Sequence, residues 1–187
     1  RSNRDKVKNV LADAEIVIAH NASFDRPFCE DLSVEFENIH WGCSMKDINW
    51  KEEDISGLKL EYIAYKYGFF FEGHRATIDC QAGIEILSRP LLKSGELVLK
   101  RLIDNALKTK IRLWALGAPF GKKDVLKQRK YRWNTGEKEG HKAWYIDLPE
   151  DEVDNELTYL RTHIFPQGIR NLPMERLSSK LRYSNRM

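Results

Sequence analysis

Long apolar runs are missing from this chain. Nothing in it approaches the roughly 20 consecutive apolar residues that a membrane-spanning helix needs, and its opening residues lack the pattern of a signal peptide. No membrane association is expected. Cysteine is scarce and odd in number, with only Cys29, Cys43 and Cys80. Their spacing fits neither a metal finger nor a disulfide framework, so they read as reduced thiols of a cytoplasmic protein. There is no internal repeat and no low-complexity tract, which excludes a solenoid. An initiating methionine is also missing. The chain opens at Arg1 and is expected to be part of a longer one.

What is present suffices for one substantial domain or two small ones: 187 residues, 42% of them hydrophobic. The net charge of +3 hides an uneven distribution. Residues 1–90 hold 11 Lys/Arg and 16 Asp/Glu, a net of −5, and residues 91–187 hold 20 and 12, a net of +8. An acidic half joined to a basic half suits a metal-dependent site beside a polyanion-binding surface. Chance is the plainer account.

The stretch Ile16-Val-Ile-Ala-His-Asn-Ala-Ser-Phe-Asp25 organises the first half. Its unbroken apolar run suits a strand covered on both faces. Phe24, Phe28 and Leu32 then recur at helical spacing, with Pro27 expected in the first turn. Asp25 therefore opens a helix just past a buried strand, at the sheet edge where α/β proteins bind ligands. Ahead of it, Asp5 to Ala14 reads as a helix, and beyond it Ile39 to Met45 reads as a strand. Ser56 is a plausible N-cap for a helix through Leu60, Ile63, Ala64 and Tyr67, closed by Gly68. The Phe69-Phe70-Phe71 run suits a core or docking cluster.

A second chemical stretch is Gly73-His-Arg-Ala-Thr-Ile-Asp79. Ile78, Ala82 and Ile86 mark a helix face starting near Arg75, which places Asp79 one turn in and Gly83 on the same side. Either aspartate alone reads as a partner of the helix dipole, and His74 alone as a loop residue.

Together the two stretches resemble the DEDDh 3′–5′ exonucleases, the DnaQ-like family that includes the proofreading epsilon subunit of DNA polymerase III. The resemblance rests on His-Asn-Ala-x-Phe-Asp after an apolar strand, then His-x-x-x-x-Asp at a helix start, and it covers roughly residues 1–90. It implies an α/β, ribonuclease-H-like exonuclease fold that hydrolyses the phosphodiester bonds of single-stranded DNA or RNA from 3′ ends. It also implies two divalent cations, Mg²⁺ or Mn²⁺, because hard cations favour carboxylate oxygens and can clamp the attacking and leaving oxygens. In that reading Asp79 and Asp25 support the metals, and His74 takes a proton from the attacking water, a task suited to an ordinary histidine pKa of about 6.5. His20, Asn21, Phe24 and Arg75 are candidate substrate contacts, although a capping Asn21 and a core Phe24 are equally open. A DNA polymerase or another replication or repair protein enters as a possible partner.

The family uses four carboxylates, the first two in an Asp-x-Glu motif on the first strand. Asp13-Ala-Glu15 precedes the Ile16 strand, and Asp154-Asn-Glu156 lies in a polar helix turn, so neither fits. The Asp-x-Glu strand and its hairpin neighbours are expected ahead of residue 1. The chain is expected to divide into 1–93, the C-terminal part of an exonuclease domain; 94–170, a small basic α+β module with a connecting helix; and 171–187, a polar tail. The module reads as βαββα. A strand near Ile111 precedes a basic helix over 122–130. A hairpin then joins Tyr131–Asn134 to Lys142–Ile146, and Asp147 caps a last helix. Its lysines and Tyr131, Trp133, Trp144 and Tyr145 suit unpaired bases and phosphates; equally, the tryptophans form its core. The rivals to an enzyme are an exonuclease-like fold that binds nucleic acid without cutting, and a protein-docking piece.

Overall fold

The computed structural model describes residues 3–137, 140–168 and 171–186. The chain forms two compact units, residues 1–107 and 108–187. It is a mixed α/β protein with two small sheets and several helices. No described helix is long and apolar enough to cross a membrane.

Unit 1 begins with α1 (Asn3–Leu11) and β1 (Ile16–Ala19). Then come α2 (Ala22–Leu32), α3 (Glu35–Asn38) and β2 (His40–Cys43). It ends with α4 (Leu60–Lys66), α5 (Ala76–Leu87) and α6 (Val98–Leu107). β1 and β2 pair in parallel, with Ile16 opposite His40 and Ala19 opposite Cys43. Among the described residues β1 has no second strand neighbour. The core gathers Trp50, Ile55, Ile63, Ile86, Val98 and Leu102. Glu53 anchors its far side. This buried carboxylate accepts from the backbone N–H groups of Lys93 and Ser94, which together with Arg101 hold its pKa below the usual range despite burial.

Several local expectations change here. Pro27 lies inside α2 rather than in its first turn, where its missing N–H removes a helix bond. The stripe of Phe24, Phe28 and Leu32 faces outward, with both phenylalanines 64% exposed. The buried residues of α2 are instead Ala22 and Arg26. Arg26 is fully buried because Glu30 pairs with its Nε at 2.7 Å and Trp41 packs under its guanidinium. Ser56 does not cap α4; Lys59 holds that position, and the Ser56 hydroxyl meets the Tyr62 hydroxyl. Gly68 follows the helix with φ 81°, a left-handed residue that ends it as expected.

The boundary expected after residue 93 falls between Leu107 and Lys108. The reason is packing: Val98, Leu102 and Ala106 of α6 are fully buried in the unit 1 core, so this helix is no linker.

Unit 2 contains β3 (Lys110–Ala115), a 3₁₀ turn (Phe120–Lys122) and α7 (Lys123–Gln128). β4 (Arg132–Trp133) and β5 (Trp144–Pro149) form the expected hairpin. A 3₁₀ turn (Glu150–Glu152), α8 (Val153–Tyr159), a π-helical turn (Leu160–Ile164) and β6 (Met174–Leu177) complete it. The antiparallel sheet has the order β4-β5-β3-β6. Ile111, Leu113 and Ala115 point to the core face with Leu126, Val153, Leu160 and Ile164. Asp147 is not a helix cap. It lies within β5 and accepts from Arg112 and Arg132 on the other sheet face. The polar tail holds a strand, β6, which pairs with β3.

Candidate functional site

Each expected carboxylate follows a residue in the left-handed backbone region. Asn21 (φ 74°, ψ 53°) is the N-cap of α2, and Asp25 comes four residues later. His74 (φ 69°) precedes Arg75, the N-cap of α5, and Asp79 follows one turn inside that helix. Asparagine and histidine tolerate this region better than most residues, at a local cost on the order of 1 kcal/mol. Asn21 makes no side-chain capping bond, so its amide is not spent on the helix end.

His20 ties the β1 end to two loops. Its Nε2 lies 2.8 Å from the Leu58 carbonyl oxygen and its Nδ1 2.9 Å from Ser44 Oγ. A carbonyl only accepts, so Nε2 carries the proton and Nδ1 accepts from the hydroxyl. Burial lowers the His20 pKa, while the Leu58 carbonyl, Glu61 and Asp25 pull the other way. Both ring nitrogens are thus engaged within the fold. Burial raises the Asp25 carboxyl, with its own backbone N–H and His20 acting against that.

Glu61, in the first turn of α4, was not singled out by its sequence setting. It acts on His20, and its Oε1 would lie 2.8 Å from any Cβ placed on Gly73. A side chain at position 73 would therefore have to move the Glu61 carboxylate aside. Glu61 in this way links the His20 and His74 stretches. An acidic first-turn residue reads as a dipole partner, which hid this role.

The remaining candidates are Phe24, His74 and Arg75, which are exposed, and Asp79, which is half-buried. Phe24 is not a core residue; it leans on Phe28 with ring centroids 5.4 Å apart. Nothing lies within 4 Å of a Cβ built on Gly83, so the space expected beside Asp79 is present. Among the described residues no group of three or more His, Cys, Asp or Glu side chains could hold a metal ion. Asp25 and Asp79 with His74 do not by themselves make the expected two-cation centre. Of the other carboxylates, Glu156 is taken up by Arg129 and by the Tyr131 hydroxyl at 3.0 Å.

The His20 geometry carries a pH prediction. A histidine whose pKa is lowered on folding stabilises the fold above its unfolded pKa, and that support is lost as pH falls from about 6.5 towards the folded value. Asp25, raised on folding, acts with the opposite sign from about 3.8 upward. The gap in urea midpoint between the unsubstituted chain and His20→Gln should be wider at about pH 7.5 than at about pH 5.5. An equal gap at both would contradict a neutral, doubly bonded His20.

No family model, no curated protein and no solved structure matches this chain.

Proposed function

We propose that unit 1 carries the later acidic motifs of a DnaQ-like, ribonuclease-H-like 3′–5′ exonuclease. It would act on 3′ ends of single-stranded DNA or RNA and release nucleoside 5′-monophosphates. The observation behind this reading is the repeated entry geometry. In two separate stretches a motif residue in the left-handed region, Asn21 or His74, leads into a helix whose first turns carry Asp25 or Asp79. The His74 side chain is exposed and able to meet a water molecule near a bound 3′ end. Asn21 and Phe24 stand ready to hold the terminal nucleotide, and Arg75 a phosphate.

The described carboxylates do not suit a pair of cations alone. Cleavage in this reading needs further carboxylates on a strand laid beside β1. The open edge of β1 offers backbone groups for such a strand, and the outward stripe of Phe24, Phe28 and Leu32 offers apolar cover nearby.

The experiment follows release from 3′-labelled single-stranded DNA and RNA with Mn²⁺. It compares these 187 residues with the longest chain encoded in the same reading frame. The 187 residues alone should release little, and a chain that adds an Asp-x-Glu strand should release mononucleotides. Robust release by the 187 residues would show that their own carboxylates suffice. Binding without release by every version would favour the second reading, a non-cutting nucleic-acid-binding unit. That reading is favoured by the lack of a metal-holding group among the described residues.

A further inference from the structure

Unit 2 is basic, with 17 Lys/Arg against 10 Asp/Glu from residue 108 to 187, a net of +7. Its charge is also sorted along the sheet. Ala115, Trp144 and Trp133 lie side by side in register at one end, whereas Lys110 faces Pro149 at the other. The acidic turn Glu150-Asp151-Glu152 follows Pro149 directly, so it belongs to that second end. At the first end, β3 runs out through Leu116 to Phe120, and then to Lys122 and Lys123 at the start of α7. Lys142 lies two residues before Trp144.

Large aromatics are exposed on the β4 strand and shortly after β3. Phe120 is 81% exposed and Trp133 48%. Trp133 is braced on one side by Trp144, with ring centroids 5.5 Å apart and planes at 63°. Trp144 in turn packs against the core, so the exposed ring stands on a fixed base. The Lys123 ammonium lies 4.6 Å from the Phe120 ring centroid. Among the described residues Lys122, Lys123 and Lys142 form no ion pair. Among the described residues Asp124 and Glu137 are the exposed acids nearest in sequence.

We propose that this end of unit 2 binds single-stranded nucleic acid. Trp133 and Phe120 take unpaired bases by stacking, and Lys122, Lys123 and Lys142 neutralise phosphates. Cations without an ion-pair partner among the described residues, beside exposed rings of which Trp133 is braced, match a ligand with flat apolar faces on an anionic chain. A paired duplex hides those faces and gains only the charge. The proposal does not rest on the nuclease reading, because none of these residues belongs to unit 1.

The test uses the whole chain in EDTA and measures fluorescence anisotropy with labelled oligothymidylate and oligouridylate of about 20 nucleotides, longer than the roughly 4–16 nucleotides a small module covers. Trp133→Ala should weaken binding about tenfold or more, as loss of one stacked base does, and Trp133→Phe should retain most of it. Replacing Lys122, Lys123 and Lys142 by alanine should reduce the slope of log K against log salt by about two, at roughly 0.7 per single-strand phosphate contact. A cooperative urea-unfolding transition confirms that each variant is folded. Undetectable binding, binding untouched by either set of changes, or equal affinity for duplex would overturn the proposal. Self-association lost in Trp133→Ala, without oligonucleotide binding, would also overturn it and make a second copy the occupant.

Discussion

Asp25→Ala and Asp79→Ala should each lower 3′-end release by about a hundredfold or more, in whichever chain shows Mn²⁺-dependent release. A phosphodiester is already anionic and gains charge as water attacks, so its reaction depends on oxygen donors that hold compensating cations. Losing one such donor removes several kcal/mol of stabilisation, and about 2.7 kcal/mol is already a hundredfold. Folding should survive. Neither aspartate belongs to the core, and each removes at most about 1 kcal/mol of favourable interaction with the helix start. Initial rates and thermal melting on the same preparations separate the two effects. Full activity in either variant would contradict the proposed role of that residue.

Trp114→Ala should destabilise unit 2 by about 3–5 kcal/mol, the usual cost of emptying a large buried aromatic site. Trp114 lies on the central strand β3, is 1% exposed, and donates from Nε1 to Glu175 on β6 at 2.9 Å. Its ring also meets His141 and Tyr145, and leaves no room for a Cβ on Gly140. Removing it opens a cavity and takes one donor from the Glu175 carboxylate. A small unit has only about 5–15 kcal/mol in total, so much of its stability should go. Hydrogen exchange followed by mass spectrometry should show faster exchange across β3, β5 and β6, with β2 and α6 of unit 1 unchanged. Unaltered protection in unit 2 would show that the ring's space is refilled.

The readable parts of this fold were those with their own punctuation. The apolar run of β1, the Gly68 helix end and the aromatic hairpin of β4 and β5 were legible because each signal is local. Other features depend on partners far along the chain. The periodicity of Phe24, Phe28 and Leu32 defines a helix face but not what covers it, and that face turned out to point outward. Arg26 reads as a surface residue until Trp41 is placed beneath it. Asp147 looked like a helix cap because its partners, Arg112 and Arg132, come from other strands. β6 is four residues of mixed polarity whose strand character comes from β3 beside it. The placing of Asp25 and Asp79 in the first turns of helices was legible. Glu61 and the engagement of both His20 nitrogens were not, since His20 is met by Ser44 and Leu58 from later loops, and Glu61 on α4 is met by Gly73 from the segment before α5.

The left-handed backbone at His74 decides which substitutions there can be interpreted. Alanine deletes the imidazole and also puts at φ 69° a residue that favours this region less than histidine does, so two effects are confounded. Glycine removes the strain but frees the segment leading into α5, and its added chain entropy reaches Asp79 as well. Asparagine tolerates the same region while lacking a group that can take a proton near neutrality. It is the exchange that isolates the proton acceptor from the shape of the loop that presents it.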